Sequence, residues 1–179
     1  MRRIPIFDLD GTLVDSDDAL RDAFVHLGVS PVEVTRGHVV ADECRRLGVD
    51  LESYLLAYDP AGVQPFAGAA ELVGSLDRWA VCSNKHPALG WPELERLEWE
   101  PEVALFADAF NGGPKRLEPV IAALGVDPSA VVFIGDTEHD RTTSEAAGVD
   151  FVWAGWNERT EPTGPHPVLT KPGDLRELL

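Results

Sequence analysis

The stretch that decides the fold is IPIFDLDGTLVDSDD, residues 4–18. Four apolar residues, Ile4 to Phe7, run straight into acids at Asp8 and Asp10 and then into a Gly11–Thr12 turn. A short unbroken apolar run bounded by turn residues reads as a parallel strand buried on both faces, delivering Asp8 at its carboxyl end. Two carboxylates one residue apart repel. A fold tolerates them only if a cation, a shared proton or open water compensates.

Outward from this stretch the pattern is helical from Asp17 to about Tyr58. DDALRDAFVHLG puts Leu20, Phe24 and Leu27 on one face, with Gly28 suited to its end and Asp15, Asp17 and Asp18 expected to cap its start. SPVE at Ser30 to Glu33 has a capping-box pattern, which predicts one helix from there to Leu47. DLESYLLAY predicts another, capped by Asp50. DPAGVQPFAG then breaks the pattern with two prolines and two glycines. Beyond it the elements alternate: AAELVGSL helix, RWAVCS strand, PALGWPELERL helix despite Pro92, KRLEPVIAALG helix, AVVFIGD strand, EHDRTTSEAAG helix, VDFVWA strand. The stretch 101–111 is ambiguous, and a short helix is expected from Pro172 to Leu178. Alternation of this kind predicts an α/β fold, a Rossmann-like parallel sheet covered by helices on both faces. Residues 1–16 and 64–179 are expected to form this core, and residues 17–63 a small all-helical cap inserted into it.

Composition bounds the possibilities. A chain of 179 residues with 44% hydrophobic content suits one well-buried domain. A net charge of −16 argues against gripping nucleic acid or an anionic membrane, but not against a small anionic substrate. Only Cys44 and Cys82 are present, so a four-cysteine metal site is excluded and reduced thiols are expected. Asp8 cuts the first apolar run short of a signal-peptide core, and no stretch reaches the roughly 20 apolar residues of a membrane span. A cytoplasmic protein is expected, as a monomer or a homodimer.

Three predicted strands end in polar groups: Asp8 and Asp10, then Ser83 and Asn84, then Asp136. In an open parallel sheet these ends share one crevice. With Asp140 they gather as many as four carboxylates, and oxygen-only ligands with room for water suit magnesium. Lys115 adds a positive charge, and Ser83 and Asn84 can donate to phosphate oxygens. The plainer readings are weaker. An Asp beside a Gly-Thr turn can be a turn former, Asp136 or Asp140 can serve a helix start, and Ser83 can be an ordinary strand-end hydroxyl. An EF-hand loop fails on spacing.

These stretches resemble the haloacid dehalogenase-like superfamily of phosphohydrolases, most closely its phosphoglycolate-phosphatase-like branch. FDLDGTLVDS (Phe7 to Ser16) is similar to its first motif, CSNK (Cys82 to Lys85) to its second, Lys115 in GGPKRLEP to its third, and IGDTEHD (Ile134 to Asp140) to its fourth. The resemblance implies that Asp8 is the nucleophile, forming an aspartyl-phosphate, and that Asp10 is the general acid and base, holding a proton near neutral pH. It implies Mg2+ held by Asp8, the backbone carbonyl of Asp10, and Asp136, with Asp140 in support. Ser83, Asn84 and Lys115 would bind the phosphoryl group of a small phosphorylated metabolite. A magnesium ion and a shared proton together would then reconcile Asp8 with Asp10.

Within the superfamily, Asp10 argues against the dehalogenases, which lack this aspartate. The absence of a lysine before Lys85 argues against the Schiff-base branch. A phosphomutase or a non-catalytic phosphate binder stands as the alternative. The cap is short for this family, and Arg116 stands where relatives commonly have proline after the lysine, which makes Lys85 the substitute if Lys115 is misplaced. His139 is expected at the surface and Trp153 and Trp156 at the core edge, while contact of His86, near Ser83, with substrate is the less favoured reading of that residue. Arg21, Arg36, Arg45 and Arg46 could reach an anionic substrate or simply lie on solvated helix faces.

Overall fold

Residues 3–35 and 37–179 are described by a computed structural model. Arg36 therefore lies outside the described residues. Strand β1 (Ile4–Phe7) is followed by a two-residue strand β2 (Val14–Asp15), then helices α1 (Asp17–His26), α2 (Val40–Leu47) and α3 (Leu51–Ala57). A short β3 (Gln64–Pro65) pairs antiparallel with β2, so the chain leaves and re-enters the sheet region through one two-stranded ribbon. Then follow α4 (Ala69–Val73), β4 (Ala80–Cys82), α5 (Pro87–Arg96), β5 (Val103–Leu105), α6 (Glu118–Leu124), β6 (Val131–Gly135), α7 (Glu138–Ala147), β7 (Asp150–Ala154) and β8 (Val168–Leu169).

The main sheet has the order β5-β4-β1-β6-β7-β8, with every neighbouring pair parallel. This is the expected α/β architecture. Period-two alternation explains why both faces are covered. Ile4 and Ile6 of β1, with Val131 and Phe133 of β6, pack against Leu117, Val120 and Ile121 around α6. Phe7, Val132 and Ile134 point the other way and join Leu72, Trp79 and Leu94. That second layer is continuous with Phe24, Cys44, Tyr54 and Tyr58 from the inserted helices. The connection from β1 runs to one side of the sheet and β6 returns on the other, so the β1–β6 boundary is the topological switch point. Ligands in open parallel sheets sit beyond the carboxyl ends of strands at such a point.

Several expectations are corrected. Residues 31–47 do not form one helix: Pro31–Glu33 is a single 3-10 turn, and α2 starts only at Val40. The Ser30 side chain makes no capping bond, and Gly37 takes a left-handed φ of 77° that stops helix propagation. Glu43 instead accepts from the Thr35 N–H and hydroxyl, tying the loop down from α2. Asp15, Asp17 and Asp18 do not cap α1 through their side chains; Ser16 occupies the cap position, Asp17 and Asp18 lie in the first turn, where the helix dipole favours them, and Asp15 belongs to β2. The ambiguous stretch contains β5 and a 3-10 turn at Ala107–Phe110. The last helix is 3-10, over Pro172–Glu177. Asp50 caps α3 as expected, accepting from the Ser53 N–H at 2.8 Å.

Candidate active site

Asp8 leaves the end of β1 with its N–H still bonded to Ile134 O of β6, which places its carboxyl beside Asp136. Carboxylate oxygens of Asp8, Asp136 and Asp140 all lie within 4.8 Å of one another. Lys115 Nζ is 2.8 Å from Asp8 Oδ2 and 2.5 Å from Asp140 Oδ1. Lys115 therefore reaches the carboxylate cluster although Arg116, not proline, follows it.

Lys85 serves Asp10 instead. Its ammonium lies 2.6 Å from Asp10 Oδ1, 2.5 Å from Glu93 Oε2 and 3.1 Å from the Tyr58 hydroxyl. Asp8 and Asp10 are therefore separated, each against its own lysine. Burial works against the charge of both lysines, but their acidic neighbours outweigh it and raise both pKa values above the ordinary one.

The acids respond differently. Burial pushes Asp8 up to about 6, with Lys115 opposing and Asp140 and Asp10 reinforcing the rise. Burial, then Asp140 and Asp8, pushes Asp136 well above the carboxylate range, against a hydrogen bond from Thr12 Oγ1 at 2.9 Å. An all-oxygen set in which Asp140 raises both Asp8 and Asp136 is the donor chemistry a hard divalent cation relieves, so these residues fit magnesium.

A cavity of about 150 Å³ opens above these groups. Asp8, Asp10, Ser83, Asn84, Lys115 and Asp136 from the sheet side line it, as do Arg21, His38 and Tyr54 from between β2 and β3. Ser83 is buried at the end of β4. Asn84 spans two segments: its Nδ2 donates to Gly37 O at 2.9 Å, and its Oδ1 accepts from the Lys115 N–H at 2.7 Å. His86 lines the cavity while its Nδ1 accepts from the Ala88 N–H at the start of α5. Arg21 also lines it, with its guanidinium held by Asp18 and Asp22. Arg45 and Arg46 stay on α2, paired with Asp42 and Glu43.

The match to a family model settles the affiliation: a model described as a haloacid dehalogenase-like hydrolase covers residues 4–148. The chain belongs to that family. It is a hydrolase of the phosphatase type. Among its relatives, a phosphoglycolate phosphatase of Mesorhizobium japonicum is 28% identical, over 84% of this chain and 82% of that one. An N-acetylmuramic acid 6-phosphate phosphatase of Pseudomonas aeruginosa is also 28% identical, over 80% and 77%. The fold matches the crystal structure of a hydrolase from Pseudomonas syringae with a TM-score of 0.78 at 20% identity, covering 99% of this chain and 97% of that one.

In this haloacid dehalogenase-like hydrolase two expectations change with the geometry. His139 is half-buried, not at the surface, and its Nε2 has no hydrogen-bond partner among the described residues. Burial, then Lys115, lowers its pKa. Trp153 is fully buried rather than at an edge. Asp140 has two tasks: Oδ2 accepts from the Thr137 N–H and hydroxyl in a capping box, and Oδ1 faces Lys115. Sequence reasoning missed four supports. Ser16 Oγ donates to Asp10 Oδ1 at 2.5 Å, and Glu93 sits behind Lys85. From the loop after β7, Trp156 Nε1 donates to Thr12 O at 2.8 Å and Asn157 Nδ2 to Gly11 O at 2.9 Å, gripping the Asp-Gly-Thr turn. No local pattern signals Trp156 or Asn157, because their partners are more than 140 residues away. Among the described residues no helix is long and apolar enough to cross a membrane.

Proposed function

We propose that the protein is a magnesium-dependent phosphomonoester hydrolase acting on a small phosphorylated metabolite through an aspartyl-phosphate on Asp8. The observation that carries this reading is the placement of Asp8 at the switch point, 2.8 Å from Lys115 and within one cluster with Asp136 and Asp140.

Asp8 oxygen forms a bond to phosphorus as the ester oxygen departs. Lys115 and Ser83 hold the transferring group and offset its charge. Asp10 Oδ1 is already engaged by Lys85 and Ser16, which leaves Oδ2 to give a proton to the departing alcohol. A water then attacks the acyl phosphate and loses its proton to the same oxygen, which releases phosphate and restores Asp8. Asp8, the Asp10 carbonyl and Asp136 would hold magnesium, which supplies charge neutralisation so that an anionic nucleophile can approach an anionic ester.

Residues 17–63 act as a cap in this reading, joined to the core through the β2–β3 ribbon. The cavity of about 150 Å³ and the cap residues around it support a small substrate. The phosphoglycolate and N-acetylmuramic acid 6-phosphate specificities belong to the relatives, and both compounds enter the test panel.

The test is phosphate release from p-nitrophenyl phosphate and a panel of natural phosphoesters, with and without magnesium, for wild type and Asp8→Asn. Turnover that needs magnesium and vanishes in the variant is expected. Turnover that survives in Asp8→Asn refutes the nucleophile, and none on any ester refutes hydrolysis in favour of narrow phosphotransfer or binding.

A further inference from the structure

Glu93 is the feature that this chemistry does not use. It lies on α5, outside the four sequence motifs, and is only 1% exposed. A carboxylate is rarely that buried without a task or a partner. Its ion-pair partner is Lys85, at 2.5 Å from Oε2, while neither carboxylate oxygen has a hydrogen-bond partner among the described residues. Burial raises the Glu93 pKa, and Lys85 opposes that rise.

Lys85 is equally enclosed and stands between two acids. Its ammonium has three donors, and the three groups within reach are Asp10 Oδ1, Glu93 Oε2 and the Tyr58 hydroxyl. The ammonium also lies 5.3 Å from the centre of the Tyr58 ring. Replacing a buried ion pair with apolar residues is often neutral or stabilising, so stability alone is a weak reason for burying three charges here. The arrangement does have a geometric consequence. Glu93 Oε2, at 2.5 Å, is a second anchor for the ammonium that contacts Asp10 Oδ1 at 2.6 Å, so it helps set where the ammonium stops and therefore where Asp10 Oδ1 is held. Ser16, at the start of α1, donates to the same oxygen.

We infer that Glu93 is a positioning residue: acting through Lys85, it holds the Asp10 carboxyl so that Oδ2 can exchange a proton with the leaving group and with water. Tyr58, at the end of α3, braces the ammonium from the inserted helices. The inference rests on the phosphatase reading above and adds a residue to its proton-transfer step.

The chemistry supplies a test that distinguishes positioning from general damage. A p-nitrophenolate leaves without help from an acid, whereas an alkoxide does not, and general acid catalysis typically contributes about 10²–10⁴-fold. Glu93→Gln keeps the shape and removes the charge that draws Lys85. Its kcat on a simple alkyl phosphate is expected to fall at least about tenfold further than its kcat on p-nitrophenyl phosphate, with KM little changed. Tyr58→Phe is expected to shift the same ratio in the same direction by less.

An equal loss on both esters, or no loss, overturns the inference. If Glu93→Gln does not fold, the double variant Lys85→Met with Glu93→Met removes the charges at similar volume and is read by the same ratio. Asp8→Asn runs alongside. Surviving turnover there fails the phosphatase reading itself, whereas loss in Asp8→Asn with an unchanged ester ratio in the Glu93 variants fails only the positioning role.

Discussion

Gly11→Ala places one methyl group where the candidate site has no room. Gly11 has a left-handed φ of 76°, and a Cβ built on it would lie 2.3 Å from Asp136 Oδ2 and 2.6 Å from its Cγ. Two costs follow. A non-glycine residue in that backbone region costs about 1–2 kcal/mol. Asp136 must also swing away and give up the bond from Thr12 Oγ1, and a hydrogen bond to a charged group contributes about 1.5–3 kcal/mol. Together they amount to about 2.5–5 kcal/mol, enough to lower the melting temperature by on the order of 10 °C in a domain of this size. The functional effect is separate. Asp136 leaves the carboxylate cluster, so the magnesium concentration for half-maximal turnover is expected to rise about 10–100-fold, the range typical when the support of a metal ligand is lost. The assay is a magnesium titration of phosphate release well below the melting temperature of the variant, paired with a thermal melt. A variant that melts lower yet needs no more magnesium than wild type would refute the placement of Asp136 at the metal.

Two further outcomes follow from the same geometry. Asp8 and Asp136 have pKa values raised on folding, so the folded chain retains protons that the unfolded chain releases above about pH 4. The contribution of Asp8 to stability is present below that point and is lost as pH rises through about 6, and Asp136 acts in the same direction. Magnesium, which needs these groups ionised, should therefore raise the melting temperature more at about pH 7.5 than at about pH 5, and an equal gain at both would contradict the assignment. Asn84→Ala removes the bond to Gly37 O and leaves the buried Lys115 N–H without its acceptor. It should cost about 2–4 kcal/mol in denaturant unfolding, and a loss below about 0.5 kcal/mol would mean that neither bond matters.

What was legible in the sequence is what is local. The run from Ile4 to Phe7 into Asp8 carries its own strand signal, and the AVVFIGD stretch carries the second, so the core alternation and the meeting of Asp8 with Asp136 are legible there. The inserted helices were harder. Ser30, Pro31 and Glu33 form a good local start signal, but Thr35 is held by Glu43 and Gly37 by Asn84, the latter 47 residues away. A tertiary contact overrode the local pattern there. Glu93 reads as a polar residue on an ordinary helix, and only packing shows that its side faces Lys85. The two residues of β8 were also invisible, since a strand that short has no period to detect.

The opening problem, two acids one residue apart, is solved more by lysines than a metal ion and shared proton would suggest. Asp8 faces Lys115 with Asp140 behind it, and Asp10 faces Lys85 with Glu93 behind it. Each strand-end acid thus has its own lysine and a second, more buried acid. The charges then count differently on the two sides. With all groups ionised, Asp8, Asp136 and Asp140 against Lys115 leave two negative charges, which a divalent cation cancels. Asp10 and Glu93 against Lys85 leave one, which a single proton cancels. Burial makes any uncancelled charge costly, so in the proposed reading a metal ion answers the charge of the first side and a proton that of the second. Phosphoester hydrolysis through an aspartyl-phosphate needs one of each.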